Sequence, residues 1–390
     1  MTTAGIPVPG GFGLYIHWPF CISKCPYCDF NSHVAGNVDD DAWRRSLLLE
    51  LDHYGIKTKG RRLDSVFFGG GTPSLMPPAI AAALIDRLAE YWVVPADIEV
   101  TLEANPSSIE AQKFADFRAA GVNRVSVGIQ SFDDTALRFL GRAHSAREAS
   151  QAITIAQQSF DRVSFDLIYA LPGQTRDAWE AELSAALSRG TGHLSLYQLT
   201  IEKGTPFYSD HRKGVFALPE EDLAADLYEL TGEMTSNAGL QAYEVSNYAQ
   251  SGQESRHNLV YWRGGDYIGV GPGAHGRLTL NGERLRTEQV PGPAGWLSAV
   301  AADGHATRVF DPVGKNEQID EFLMMGLRLA EGIGSAPFAE IVGRPLEDCI
   351  DIPKAALLRD AGLLALDERG LRATPAGMQR LNAIIAAISL

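Results

Sequence analysis

Along the first two-thirds of the chain, short apolar runs alternate with longer stretches whose apolar residues recur every three or four positions. The first pattern predicts strands and the second predicts amphipathic helices. Strands are predicted at 14–17, 65–68, 98–103, 124–130, 162–169 and 193–200. Helices are predicted at 41–54, 79–92, 108–119, 133–140, 146–158, 175–188 and 219–238. Six β/α units in series imply a parallel sheet. Six are too few for the closed eight-stranded barrel, so the expected α/β fold is an open, curved, partial (β/α)6 barrel. In such sheets chemistry gathers at the C-terminal strand ends.

The pattern changes near residue 241. Glycine and aromatic residues dominate 247–276, and 282–312 reads as irregular. From 316 the helical period returns, with Phe322, Leu323, Leu327 and Leu329 on one apolar stripe. Segments 355–360, 362–366 and 371–373, the polar turn 367–370 and a closing helix at 375–388 suggest a small winged-helix-like unit. The expected division is a barrel over 1–240, a connecting region over 241–310 and a helical, winged-helix-like domain over 311–390.

Composition narrows the function classes. The 390 residues are 45% apolar and 21% charged, an ordinary globular balance, and the net charge is −14. A broad nucleic-acid surface would need an excess of Lys and Arg instead, so packing or partner contact is the expected role of the C-terminal unit. No apolar run is long enough to span a membrane, and peripheral contact is left open. Residues 1–13 lack the charged and apolar regions of a signal peptide. The expected address is the cytoplasm.

Only four cysteines occur, and Cys21, Cys25 and Cys28 fall together in a C-x3-C-x2-C loop directly after the first strand. A disulfide framework would spread cysteines through a small secreted chain. Clustered thiolates are soft ligands that suit zinc or iron–sulfur clusters. Structural zinc sites normally take four protein ligands, and no fourth Cys or His lies at tight spacing; His17 and His33 are the near neighbours and Cys349 is remote. Three thiolates on a four-iron cube would leave one iron open. Cys349 reads as a buried apolar residue.

This arrangement resembles the radical S-adenosylmethionine superfamily, which carries C-x3-C-x2-C after the first strand of a partial (β/α)6 barrel. The resemblance implies a [4Fe–4S] cluster on Cys21, Cys25 and Cys28, with the methionine moiety of S-adenosylmethionine chelated by the open iron. The second strand ends in Gly69-Gly70-Gly71-Thr72-Pro73, and glycine there permits positive φ and close backbone approach. Later strand ends carry Glu103, Gln130 and Asp166, with Arg142 in a following loop. These stretches resemble the oxygen-independent coproporphyrinogen III oxidases and their relatives. That resemblance implies a cofactor pocket lined by Tyr15, Gly70, Gly71, Thr72, Glu103, Gln130, Arg142 and Asp166, with Tyr27 at the adenine and Thr200 at an edge. His275 is a further candidate for the cofactor edge.

Within that group the chain departs from the oxidases. Their cluster motif continues to a fourth cysteine where this chain has Phe30, and their long N-terminal arm has no counterpart before residue 14. His257-Asn258-x-x-Tyr261-Trp262 resembles instead the motif of the HemW-type heme chaperones. An imidazole can ligate heme iron, and Tyr and Trp offer faces to a porphyrin. The resemblance thus implies a heme chaperone that uses His257, Tyr261 and Trp262, serves a heme-acceptor protein, draws on an electron donor of the flavodoxin or ferredoxin kind, and lacks coproporphyrinogen III oxidase activity. The alternatives are the oxidase itself, with radical decarboxylation in porphyrin synthesis, and a non-catalytic winged-helix binding protein with a structural metal. The acidic composition and the polar strand ends disfavour the last.

Overall fold

The computed structural model describes residues 5–390 except 35, 37, 108, 109 and 111. Six parallel strands form its centre: β1 (Phe12–Trp18), β2 (Ser65–Gly70), β3 (Glu99–Ala104), β4 (Arg124–Gln130), β5 (Arg162–Tyr169) and β6 (His193–Gln198). They lie side by side in chain order, each in parallel register with the next. Helices Asp40–Lys57, Pro78–Arg87, Phe114–Ala119, Ala146–Ser159, Arg176–Leu187 and Glu221–Asn237 connect the strands and cover their outer face. The expected helix at 108–119 is described from Phe114 onward, its first turns lying partly outside the described residues.

Local chemistry fixes these boundaries. Asp39 accepts a bond from the Ala42 N–H and starts the first helix ahead of the predicted 41. Ser145 and Glu148 form a reciprocal capping box at the start of Ala146–Ser159. The Thr175 hydroxyl accepts from the Ala178 N–H and caps Arg176–Leu187. One core runs from Phe12, Leu14 and Ile16 of β1 to Trp179 and Leu183 and on to Trp296.

The sheet does not stop at β6. Among the described residues it has twelve strands. Asn247–Ala249 pairs antiparallel with β6, while Asp266–Val270 pairs parallel with the other side of β1. His275–Leu280, Glu283–Gln289 and Thr307–Pro312 continue antiparallel beyond it. The irregular stretch expected at 282–312 is therefore ordered as strand, helix Pro293–Asp303 and strand. A second core gathers Phe322, Leu323, Phe338, Leu371 and Ile384, among others, around a three-stranded sheet of Ile333–Gly334, Gly370–Ala373 and Leu364–Asp367. The closing helix expected at 375–388 breaks at Gln379 and Arg380 into Pro375–Met378 and Leu381–Ile388.

Candidate functional site

The cluster loop leaves β1 through a two-residue strand, Phe20–Cys21, which pairs in parallel with His33–Val34. Between them the chain turns back, with the Cys28 N–H donating to Cys25 O at 3.1 Å. The three thiols are partly exposed and free, and all line one cavity of about 590 Å³ at the C-terminal ends of the barrel strands. The Thr72 hydroxyl donates to Cys21 Sγ at 3.4 Å, and Arg142 Nη1 lies 3.4 Å from Cys25 Sγ. Cys349 is buried in the C-terminal core, apart from this loop.

Around the thiols stands a polar ring. Gly70, Gly71, Thr72, Glu103, Gln130, Arg142, Asp166, Tyr27 and Thr200 all line the same cavity. Arg142 is its hub: Nη2 donates to Asn105 Oδ1 at 2.6 Å and Gly128 O at 2.8 Å, and Asn105 in turn donates to Thr72 Oγ1 at 3.0 Å. Gln130 adopts φ 69°, a left-handed conformation uncommon outside glycine. Gly70 has φ 116°, and a Cβ there would stand 2.6 Å from the His17 ring. Burial, followed by the charge of Asp166, pushes the Glu103 carboxyl up to about 8. Burial also raises Asp166, whose Oδ1 accepts from Ser126 Oγ at 3.1 Å. A cation entering the cavity would favour the ionised form of both.

Two groups of expected site residues lie elsewhere. Tyr15 is not in the cavity wall; its hydroxyl pairs with His17 Nδ1 at 2.9 Å. His17 Nε2 pairs with Asn31 O at 2.8 Å, so neither His17 nitrogen is free for a metal. His275 is exposed on the outer antiparallel strands, 3.8 Å from Glu288. His257 is 1% exposed, at the N-terminal side of the barrel interior, in helix Arg256–Trp262. Its Nδ1 pairs with Ser65 Oγ at 2.9 Å and its Nε2 with Tyr261 OH at 2.6 Å. His257 is the expected axial heme ligand, and in this conformation both of its ring nitrogens are engaged in hydrogen bonds. Asn258, Tyr261 and Trp262 line a second cavity of about 280 Å³ that shares Tyr197, Val245 and Ser246 with the first. The Trp262 indole N–H is buried without a partner among the described residues.

Comparison with known proteins agrees with this architecture. The radical SAM superfamily profile matches residues 15–185, and the HemN C-terminal domain profile matches 313–380. "Heme chaperone HemW" of Escherichia coli is 40% identical over 85% of this chain and 86% of its own length. The chain belongs to the radical SAM superfamily, in the family of HemW. A second relative, "Radical S-adenosyl methionine domain-containing protein 1, mitochondrial" of Bos taurus, is 42% identical over 98% of this chain and 88% of its own length. The solved coproporphyrinogen III oxidase HemN of Escherichia coli superposes with a TM-score of 0.78 at 23% identity, covering 97% of this chain and 89% of the oxidase, a likeness of fold alone.

Family membership leaves several wall residues that sequence reasoning passes over. Asn105, Ser126, Tyr197 and Tyr228 line the main cavity. A signal for Tyr197 exists in the period-two pattern of β6, whose alternate side chains face the barrel interior. Asn105 carries no such periodic signal, since it follows the end of β3. At the mouth, Phe30 is 59% exposed, so the position that holds cysteine in the oxidases presents an apolar ring beside the cavity.

Proposed function

We propose that this protein binds heme and passes it to an acceptor protein, holding a [4Fe–4S] cluster and S-adenosylmethionine in the barrel mouth. The observation that carries the reading is the membership of the HemW family across both chain regions, combined with an apolar side chain at position 30 beside the thiol cavity. Among the described residues, no three Cys, His, Asp or Glu side chains converge as a single metal ion requires. Three soft thiols opening on one cavity, with buried carboxyls opposite, suit a cluster with an open iron and a cationic zwitterion beside it. Cys21, Cys25 and Cys28 would hold the cluster, and when bound it supplies one-electron chemistry to the cofactor. Gly70 and Gly71 would present backbone to the cofactor, and Glu103, Gln130, Asp166 and Arg142 would orient it, with Tyr27 and Thr200 at its periphery.

The proposal takes heme as cargo and assigns no iron ligand to His257. Trp262 is kept as a heme contact because its N–H lacks a partner, and Tyr261 as its neighbour. An electron donor of the flavodoxin or ferredoxin kind and a cytoplasmic site of action belong to the same reading; no described helix is long and apolar enough to cross a membrane. The test is anaerobic reconstitution, heme titration and product analysis with coproporphyrinogen, reductant and S-adenosylmethionine. Heme binding near one per chain with no turnover is expected. Protoporphyrinogen formation would replace this reading with the oxidase.

A further inference from the structure

Each strand places alternate side chains in the barrel interior. On β1 these are Gly13, Tyr15 and His17, and on β2 they are Ser65, Phe67 and Gly69, directly opposite in register. Helix Arg256–Trp262 closes the barrel from below, its first N–H groups fastened to Glu99: Arg256 N and His257 N each donate to that carboxylate at 3.1 Å. Arg162 Nη1 holds the same carboxylate at 2.7 Å. The helix is therefore tied to the floor of the barrel, and His257 points into the column of side chains between β1 and β2.

The column is continuous. The His257 ring stacks on Phe67 with centroids 4.9 Å apart and planes at 21°, and lies 6.4 Å from Tyr15 at 28°. Tyr15 and Phe67 stack at 6.3 Å and 24°. Gly13 keeps the column tight, since a Cβ there would lie 3.2 Å from both His257 Nδ1 and Ser65 Oγ and one of them would have to give by a few tenths of an ångström. One layer higher, a Cβ on Gly69 would lie 2.7 Å from the Tyr15 ring and 3.0 Å from Phe67. The Tyr15 hydroxyl pairs with His17 Nδ1, His17 fills the space under Gly70, and His17 Nε2 reaches Asn31 O just beyond Cys28. An unbroken packed path thus runs from His257 to the glycine turn and to the end of the cluster loop.

We infer that His257 is a positioning residue: its stacked ring sets the height of Phe67 and Tyr15, and through them the backbone of the Gly69–Gly70–Gly71 turn that faces the cofactor. The inference rests on the reading that this turn receives S-adenosylmethionine. Ser65 and Tyr261 fix the ring from its two nitrogens, so the imidazole cannot rotate without breaking one bond. Burial also holds the ring neutral, with its pKa lowered to about 3.

The experiment uses the full chain, reconstituted anaerobically, in three variants: His257→Leu, Ser65→Ala and Tyr261→Phe. Four quantities are read: iron and sulfide per chain, S-adenosylmethionine Kd by equilibrium dialysis, the cofactor-induced change in the electron paramagnetic resonance spectrum of the reduced cluster, and the heme absorption spectrum. His257→Leu should keep a full cluster, weaken the cofactor roughly tenfold, the equivalent of about 1.4 kcal/mol, and blunt the cofactor-induced spectral change. Ser65→Ala and Tyr261→Phe keep the ring but free one nitrogen, and should move Kd in the same direction by a smaller factor. They carry the test if His257→Leu does not fold. The heme spectrum should be the same in His257→Leu and Ser65→Ala as in the wild-type protein. Unchanged cofactor affinity in the folded variants would overturn the inference, as would loss of an axial-nitrogen heme spectrum with affinity intact. Failure of the wild-type protein to bind S-adenosylmethionine would instead remove the underlying reading.

Discussion

Replacing Arg142 with Met tests the polar ring at its hub. The guanidinium makes two short bonds, to Asn105 Oδ1 and Gly128 O, and touches Cys25 Sγ. Methionine keeps apolar bulk and removes all three. With the cavity open, water can reach the freed acceptors, and losing each bond costs only about 1 kcal/mol. With a cofactor in place that water is displaced, and two unpaired acceptors beside a ligand should cost about 2–3 kcal/mol more than in the open cavity, or roughly 30- to 150-fold in Kd. Arg142→Lys should fall between, because one ammonium does not reproduce the planar fork. Cluster content should stay at the wild-type level, since the thiolates themselves are untouched. Iron and sulfide analysis followed by equilibrium dialysis with S-adenosylmethionine gives both numbers. A fully loaded Arg142→Met protein that binds within twofold of wild type would refute the reasoning.

Three further outcomes are expected. Cys21→Ala, Cys25→Ala or Cys28→Ala should each abolish the brown chromophore, while Cys349→Ala should keep it, as read by visible absorption. Gly70→Ala places a methyl against the His17 ring at φ 116°; it should cost about 1–3 kcal/mol of stability by denaturant titration and weaken the cofactor as well. Glu103 binds its proton more tightly folded than unfolded, its pKa rising from 4.5 to about 8. Its contribution is complete below pH 4.5 and is lost as pH rises toward 8, so the stability of the cofactor-free protein should fall across that window and Glu103→Gln should flatten the decline; equal slopes in the two melting series would count against a protonated Glu103.

The barrel was legible because its strands are continuous apolar runs and its helices carry caps: Arg124–Gln130 and Arg162–Tyr169 are found at their predicted ends. The segment at 282–312 was not. Glu283–Gln289 turns Arg284, Arg286 and Glu288 to one face and buries Leu285, Thr287 and Gln289 on the other, so two of its three buried residues are polar and the alternation of hydropathy is lost. For the site, thiol spacing and strand-end polar residues carried Cys21 to Asp166 into one cavity. The surroundings of His257 were illegible in its own motif, because its partners Ser65 and Phe67 belong to a strand remote in sequence and meet it only through the sheet.

The parallel pairing of β1 with Asp266–Val270 bears on how the molecule is made. Phe12 lies opposite Asp266, so the strand that launches the thiol loop gains its second neighbour only after most of the chain has left the ribosome. Until then β1 is an edge, with one row of backbone groups unpaired. Contacts so distant in sequence form slowly. Asn31 is likewise anchored to Pro272 O and Pro291 O, at 2.8 and 3.0 Å, so the far end of the loop is fixed late too. On the proposed function, a cluster on the three thiols would find its scaffold complete only once the chain through Pro291 has been made, and a product truncated before Asp266 would carry the thiols on an unfinished sheet.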